Sequence, residues 1–100
     1  MDKLTTTIKR PFLAEIIAGE KKVEYRKVKA YWKKRLEGVS LPFELRLING
    51  MQEDAPEVTV IIDRVSRDRT TRQYELHIRN VVKHANWDKR RRVPKLPSSR

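Results

Sequence analysis

Residues 19–26 place an amine, a carboxylate and a guanidinium in one short stretch of the chain, on Lys21, Glu24 and Arg26. Gly19 favours a sharp turn from which Lys21 can project, and Glu24 and Arg26 share one face of a predicted strand. Arg26 is suited to donating two hydrogen bonds to a phosphate or a base edge. Lys21 could contact a phosphate or act as a base, and Glu24 could orient Lys21 or accept a hydrogen bond from an exocyclic amine.

The same residue types also allow a purely structural interpretation. Glu24 and Arg26 could form an ordinary surface ion pair, worth under ~1 kcal/mol, with Lys21 solvated beside them. Spacing alone does not exclude this alternative.

Aromatic residues and histidines are further candidates. Tyr31 and Trp32 lie on a basic predicted helix, where a ring could stack on a base or, more commonly, pack into the core. Trp87 is predicted to pack against the sheet. His77 and His84 are predicted to be solvated, and because no carboxylate stands at ligand spacing from them, we expect no metal site.

Two groups of arginines could contact a phosphate backbone. One group flanks a predicted hairpin, whose tip could equally be only solvated, and the other lies in the basic C-terminal segment, which could bind nonspecifically or merely aid solubility. The arginines are Arg64, Arg67, Arg69 and Arg72 in the hairpin, and Arg90 and Arg91 in the C-terminal segment.

Hydrophobic periodicity predicts the element order β-α-β-α-β-β-β. Pro11 opens the first helix, where its missing N–H costs nothing, and Gly19 ends it. The alternating strands are short, which favours closure into a small, mostly antiparallel β-barrel of five to six strands, in the α+β class. The predicted strands are 4–9, 22–27, 42–49, 58–65 and 74–79, extending as far as 82, and the predicted helices are 11–18 and 30–37.

The composition changes after Trp87. Residues 88–100 contain six basic residues against one acidic residue, with two prolines and two serines. Such a segment is typical of disorder. We therefore predict one domain over residues 1–87, followed by a disordered basic tail over residues 88–100.

The charge of the chain favours a polyanionic partner. Among 100 residues there are 24 Lys or Arg and 13 Asp or Glu, a formal net charge of +11. This excess attracts polyanions through counterion release and steering, although charge alone does not separate RNA from DNA or an anionic membrane. The chain contains no cysteine, and no apolar run approaches the ~18–20 residues that a bilayer requires. We expect a cytoplasmic protein with no membrane contact and no cofactor.

Residues 19–26, Gly-Glu-Lys-Lys-Val-Glu-Tyr-Arg, resemble the GxKxxExR signature of the ASCH family, relatives of the PUA RNA-binding domains. The upstream Ile8-Lys9 with Phe12, and the later segments 31–36 and 43–50, also look like that family. The resemblance covers most of residues 5–82. It implies a PUA-like β-barrel with a cleft beside the first helix, lined by the motif residues, that binds RNA, a nucleotide or a modified nucleoside. It adds Lys9 to the candidate binding residues.

Three functions follow as alternatives. The first is an RNA-binding or nucleotide-binding module. The second is a metal-independent hydrolase with Lys21 and Glu24 as catalytic residues, because some family members cut RNA or remove an acyl group from N4-acetylcytidine. The acylase-type members carry Thr in place of Glu24, so their chemistry does not transfer unchanged. The third is a basic adaptor that binds protein.

Overall fold

The computed structural model describes residues 1–95 and folds the alternating sequence into seven strands and two helices. Both helices have eight residues, and within the described part of the chain neither is long or apolar enough to cross a bilayer. In chain order the elements are β1 (Lys3–Thr7), α1 (Arg10–Ile17), β2 (Val23–Lys27), α2 (Ala30–Glu37), β3 (Phe43–Ile48), β4 (Glu57–Asp68), β5 (Gln73–Ala85), β6 (Trp87–Asp88) and β7 (Val93–Pro94).

Five of the strands form one curled half-barrel sheet in the order β1-β3-β4-β5-β2. Only the β1–β3 pair is parallel, so the predicted α+β class with mostly antiparallel strands is confirmed. The sheet is not fully closed, because β1 and β2 remain its two edges. Two arginines span the gap: Arg26 and Arg35 donate hydrogen bonds, each 2.8 Å long, to the backbone oxygens of Thr7 and Thr5 on β1.

The hydrophobic core lies between α1 and the sheet. Leu13 and Ile16 of α1 are buried against alternate residues of β3, β4 and β5. Burial of these branched and aromatic side chains is the main stabilising contribution, about 1.5–3 kcal/mol for each large side chain. The predicted continuous burial of β4 is confirmed for residues 58–62. The sheet residues of the core are Phe43, Leu45, Leu47, Val58, Val60, Ile62 and Leu76.

The β4–β5 hairpin is longer than predicted. Its strands have 12 and 13 residues, and they remain paired from Arg64↔His77 to Asp68↔Gln73. The extension over residues 66–68 and at residue 73 was not predicted, because the side chains there are polar and give no hydrophobic alternation, so the pairing depends on backbone hydrogen bonds. Three register shifts, typical of β-bulges, interrupt the ladder between Thr59 and Arg64 and bend the sheet.

The predicted disorder of the C-terminal segment is wrong as far as Lys95. Residues 87–94 form the β6–β7 hairpin, and Lys95 N donates to Asn86 O at 3.1 Å. The Trp87 side chain is only 2% exposed and belongs to the core, so it anchors the hairpin to the domain. The domain therefore extends beyond residue 87, and residues 96–100 of the predicted tail lie outside the described residues.

Candidate functional site

The turn after α1 holds Lys21 close to the helix. Gly19 has φ +80°, a left-handed conformation that strains residues with a Cβ atom. The chain can therefore reverse there, and the backbone N–H groups of Glu20 and Lys21 both donate to Glu15 O, at 2.9 and 3.1 Å. This arrangement satisfies a carbonyl at the helix end and ties the backbone of Lys21 to the last turn of α1.

Two charged side chains of β2, those of Glu24 and Arg26, lie on the face of the sheet that carries the core. Glu24 is paired with Leu76 of β5, which is fully buried, and Glu24 itself is only 4% exposed. Residues directly opposite in neighbouring strands share a face, and Arg26, two residues on from Glu24, lies on the same face. The alternative of a solvated surface pair is therefore wrong: Glu24 is a buried carboxylate.

Glu24 is compensated by two cations. Its Oε1 lies 3.6 Å from Lys21 Nζ, and its Oε2 accepts a hydrogen bond from Arg26 Nη2. A buried carboxylate without such partners would carry a desolvation cost of several kcal/mol. The three groups predicted from the sequence are thus brought together, with one positive charge in excess.

The Arg26 guanidinium makes further contacts that fix its position. Its Nη2 donates to Thr7 O at 2.8 Å, and its Nη1 lies at 3.5 Å from Thr6 Oγ1. Its Cζ lies 5.3 Å from the centre of the Trp32 ring, within the range of a cation–π contact. Within residues 1–95, Arg26 Nε is the only buried side-chain nitrogen or oxygen that has no hydrogen-bond partner.

Two aromatic rings flank the Lys21 ammonium. Lys21 Nζ lies 5.1 Å from the centre of the Phe12 ring and 5.0 Å from that of Tyr25, and the two residues are 44% and 46% exposed. The sequence analysis named neither as a site residue, because the helical spacing of Phe12 with Leu13 and Ile16 is typical of a core face. For Tyr25 the sequence did contain a signal, because it lies between Glu24 and Arg26, two of the charged residues of the motif.

These residues line a cleft of about 710 Å³ beside α1, which we call the motif cleft. Four of its side chains are basic and one is acidic, so the cleft is positively charged. Lys9, which the family resemblance added as a candidate, is among the four. The motif cleft is lined by Thr7, Ile8, Lys9, Phe12, Lys21, Glu24, Tyr25, Arg26, Lys27 and Gln73.

The two aromatic residues of α2 that were predicted as stacking candidates have different roles. Trp32 is 8% exposed, and the guanidinium groups of Arg26 and Arg35 each lie 5.3 Å from its ring centre, so it is a packing residue in this structure. Tyr31 is exposed, meets Trp32 edge to face and accepts a hydrogen bond from Arg35 at 2.6 Å. Neither ring lines the motif cleft.

The other predicted arginines lie outside the motif cleft. Arg64 pairs with His77 and Arg67 with Tyr74, and positions three apart on a strand face opposite sides. Arg64 Nη2 lies 3.3 Å from the His77 ring nitrogens, on the face opposite Glu24 and Arg26. Arg90 and Arg91 are exposed in the turn between β6 and β7.

Glu20, within the motif, is held by the C-terminal hairpin. Arg92 donates two hydrogen bonds of 2.9 Å to its carboxylate, which lower the pKa of Glu20 and raise that of Arg92. Both side chains are exposed, so the pair contributes little to the free energy of unfolding. It nevertheless connects the turn that carries Lys21 to the turn that carries Arg90 and Arg91.

We expect the contribution of this pair to depend on pH in the acidic range. Because the pKa of Glu20 is lower in the folded state, the stabilisation is complete above the ordinary value of 4.5 and is lost as the pH falls through the folded-state pKa. The variant Glu20→Gln should have a slightly lower Tm than the wild type at neutral pH, and the difference should vanish in acid. Thermal melts across this range measure it. The control is Glu53→Gln, an exposed carboxylate with no ion pair within the described residues; a pH-dependent difference as large in the control would contradict the assignment.

Comparison with known proteins gave no match: no family model, no curated protein and no solved structure matches the chain. Within residues 1–95, no set of three His, Asp or Glu side chains is arranged to hold a metal ion.

Proposed function

We propose that this protein is an RNA-binding module of the ASCH and PUA-like type, which holds one nucleotide unit of its ligand in the motif cleft. The observation that carries the proposal is the group formed by Lys21, Glu24 and Arg26, which is largely buried and faces the same cleft as two half-exposed rings. A charged group kept inside a domain of this size costs free energy, and binding of a polar ligand accounts for it better than stability does.

The cations of the motif cleft suit the phosphate of a nucleotide. Lys9, Lys21 and Lys27 provide ammonium groups at the cleft, and Glu24 neutralises only part of the charge. Ammonium and guanidinium groups form charge-assisted hydrogen bonds with phosphate that are about twice as strong as neutral ones. An anionic ligand would therefore enter with favourable electrostatics and offset the repulsion among the lysines.

The remaining groups suit the base. Phe12 and Tyr25 offer ring faces for stacking, which is worth about 1–3 kcal/mol for each base in single-strand complexes. Glu24 can accept a hydrogen bond from an exocyclic amine, and the Lys21 ammonium can donate one to a base oxygen. This combination of aromatic, acceptor and donor groups favours a nucleotide over an anionic membrane or an acidic peptide. The cytoplasmic location predicted from the sequence belongs to the same proposal.

The first test removes the ammonium of Lys21. We expect Lys21→Ala to weaken the binding of a nucleoside monophosphate or short RNA by about tenfold or more, because a hydrogen bond to a charged group is worth about 1.5–3 kcal/mol. The matched control is Lys33→Ala, which removes the same charge from an exposed position on α2 outside the cleft. Affinity is measured by titration at several salt concentrations, after thermal stabilisation has selected the nucleosides, nucleotides and RNAs that bind.

Other results would contradict the motif cleft as the binding site or favour one of the alternative functions. Equal losses in Lys21→Ala and Lys33→Ala would mean that binding depends on overall charge, and the motif cleft would not be the site. Product formation from RNA or an N4-acylcytidine in the presence of a chelator, abolished by Lys21→Ala, would favour the hydrolase. Failure of every nucleotide and RNA to bind at physiological salt would leave the protein-binding adaptor.

A further inference from the structure

The tip of the β4–β5 hairpin carries a second basic concavity, which we call the arginine notch. It has a volume of about 450 Å³ and is lined by Val28, Arg67, Arg69 and Arg72. All three arginines are exposed. Three guanidinium groups around one small concavity repel each other, so the arrangement favours an anion between them.

The acidic residue in the hairpin tip forms no ion pair with the arginines of the notch. Asp68, the acidic residue in the tip, uses Oδ1 to accept hydrogen bonds from the backbone N–H groups of Thr70 and Thr71, at 2.9 and 3.3 Å. Within residues 1–95, none of the three arginines takes part in an ion pair. Asp68 therefore shapes the turn, and the guanidinium groups remain available to a ligand.

The arginine notch adjoins the motif cleft. Lys27 and Gln73 form the last pair of the β2–β5 ladder and both line the cleft. The next residue after Lys27 is Val28, which lines the notch, and Val28 N donates to Arg72 O at 3.0 Å. Because consecutive Cα atoms are about 3.8 Å apart, the linings of the two sites meet along the backbone.

One row of side chains also leads from the cleft to the notch. Arg26 on β2 is paired with Tyr74 on β5, and Tyr74 is paired with Arg67 on β4. Side chains directly opposite each other lie on the same face of a sheet, so Arg26 and Arg67 lie on one face with Tyr74 between them. An RNA chain bound in the motif cleft beside Arg26 can therefore continue across Tyr74 toward Arg67 on the same face.

We propose that the arginine notch binds the backbone phosphates adjacent to the nucleotide held in the motif cleft, so that the ligand is a single-stranded RNA segment crossing both sites. This inference rests on the proposed function. A base that reaches the rings of Phe12 and Tyr25 must be unstacked, which a single strand allows and a duplex opposes. The notch contacts phosphate only and carries no sequence preference.

The test compares a long ligand with a short one. In the double variant Arg67→Gln, Arg69→Gln, the logarithm of the affinity for a single-stranded RNA of about ten nucleotides should fall less steeply with salt. The slope should decrease by about 0.7 for each phosphate that the variant no longer neutralises. Affinity for a nucleoside monophosphate should stay unchanged, because it occupies the cleft alone. Arg72 is left in place because its φ of +56° makes the turn sensitive to substitution.

The matched control is Lys33→Gln, Lys34→Gln, which removes two exposed charges from α2. An equal change of slope in this control would overturn the notch as a specific site, and so would tighter binding of a matching duplex than of the single strand. Loss of monophosphate binding in the arginine variant would also overturn it, because the hairpin would then act on the cleft itself. A different result would contradict the motif cleft as the nucleotide site: Lys21→Ala would leave monophosphate binding intact, while the arginine variant would still lower the slope with RNA. The two outcomes can therefore be told apart.

Discussion

Replacing Glu24 with glutamine is expected to lower the free energy of unfolding by about 3 kcal/mol, the cost of leaving buried cations without their counterion. Glu24 separates Lys21 from Arg26, and both cations are largely shielded from solvent. The amide keeps the shape of the side chain but removes the negative charge, so an ammonium and a guanidinium group are left to repel each other. For a domain of this size the Tm should fall by roughly 10–20 °C. Urea denaturation followed by circular dichroism measures the change.

The matched control for Glu24 is the same substitution at Glu57. Glu57 accepts two hydrogen bonds of 2.7 Å from Arg46, but the arginine side chain of this pair is half-exposed. Glu57→Gln should therefore cost at most about 1 kcal/mol. If the two variants lose the same free energy of unfolding, the buried Glu24 pair behaves like the exposed Glu57 pair. The burial of Glu24 would then be no evidence for a ligand site.

Replacing Trp87 with alanine is expected to cost about 3–5 kcal/mol, which is a large part of the stability of a small domain. The indole is 2% exposed and packs in the core cluster, so its removal leaves a cavity that its neighbours cannot fill. It also releases the anchor of the β6–β7 hairpin and, with it, the Arg92 contact to Glu20. Chemical denaturation measures the loss of stability, and protease cleavage in the 89–92 turn should become faster.

Val93, the exposed apolar residue of the same hairpin, offers the control. Its side chain is paired across from Asp88 and is exposed, so Val93→Ala should change the free energy of unfolding by only about 0.5 kcal/mol. Similar losses at Trp87 and Val93 would mean that the hairpin is not part of the cooperative unit. Residues 88–95 would then behave as the tail that composition predicts.

Local sequence patterns were sufficient to predict most of the helices and strands and the grouping of the motif residues. Pro11 and Gly19 bounded α1 to within one or two residues, and α2 is found where it was predicted, over Ala30–Glu37. These features depend on backbone preferences and on spacing along the chain. The proximity of Lys21, Glu24 and Arg26 also follows from a tight turn leading into a strand, so it too was predictable.

Which side of each helix or strand is covered depends on packing between distant parts of the chain, so it could not be predicted from local patterns. Alternation shows that the two faces of β2 differ, but not that the face carrying Glu24 is buried while Tyr25 is exposed. For the same reason, the sequence did not show that Arg64 and Arg67 lie on opposite faces of β4, or that Phe12 lies beside the Lys21 ammonium. Long-range packing of Trp87 likewise ordered a segment whose composition indicates disorder. Burial is a property of what lies opposite a residue, and residues far along the chain provide those neighbours.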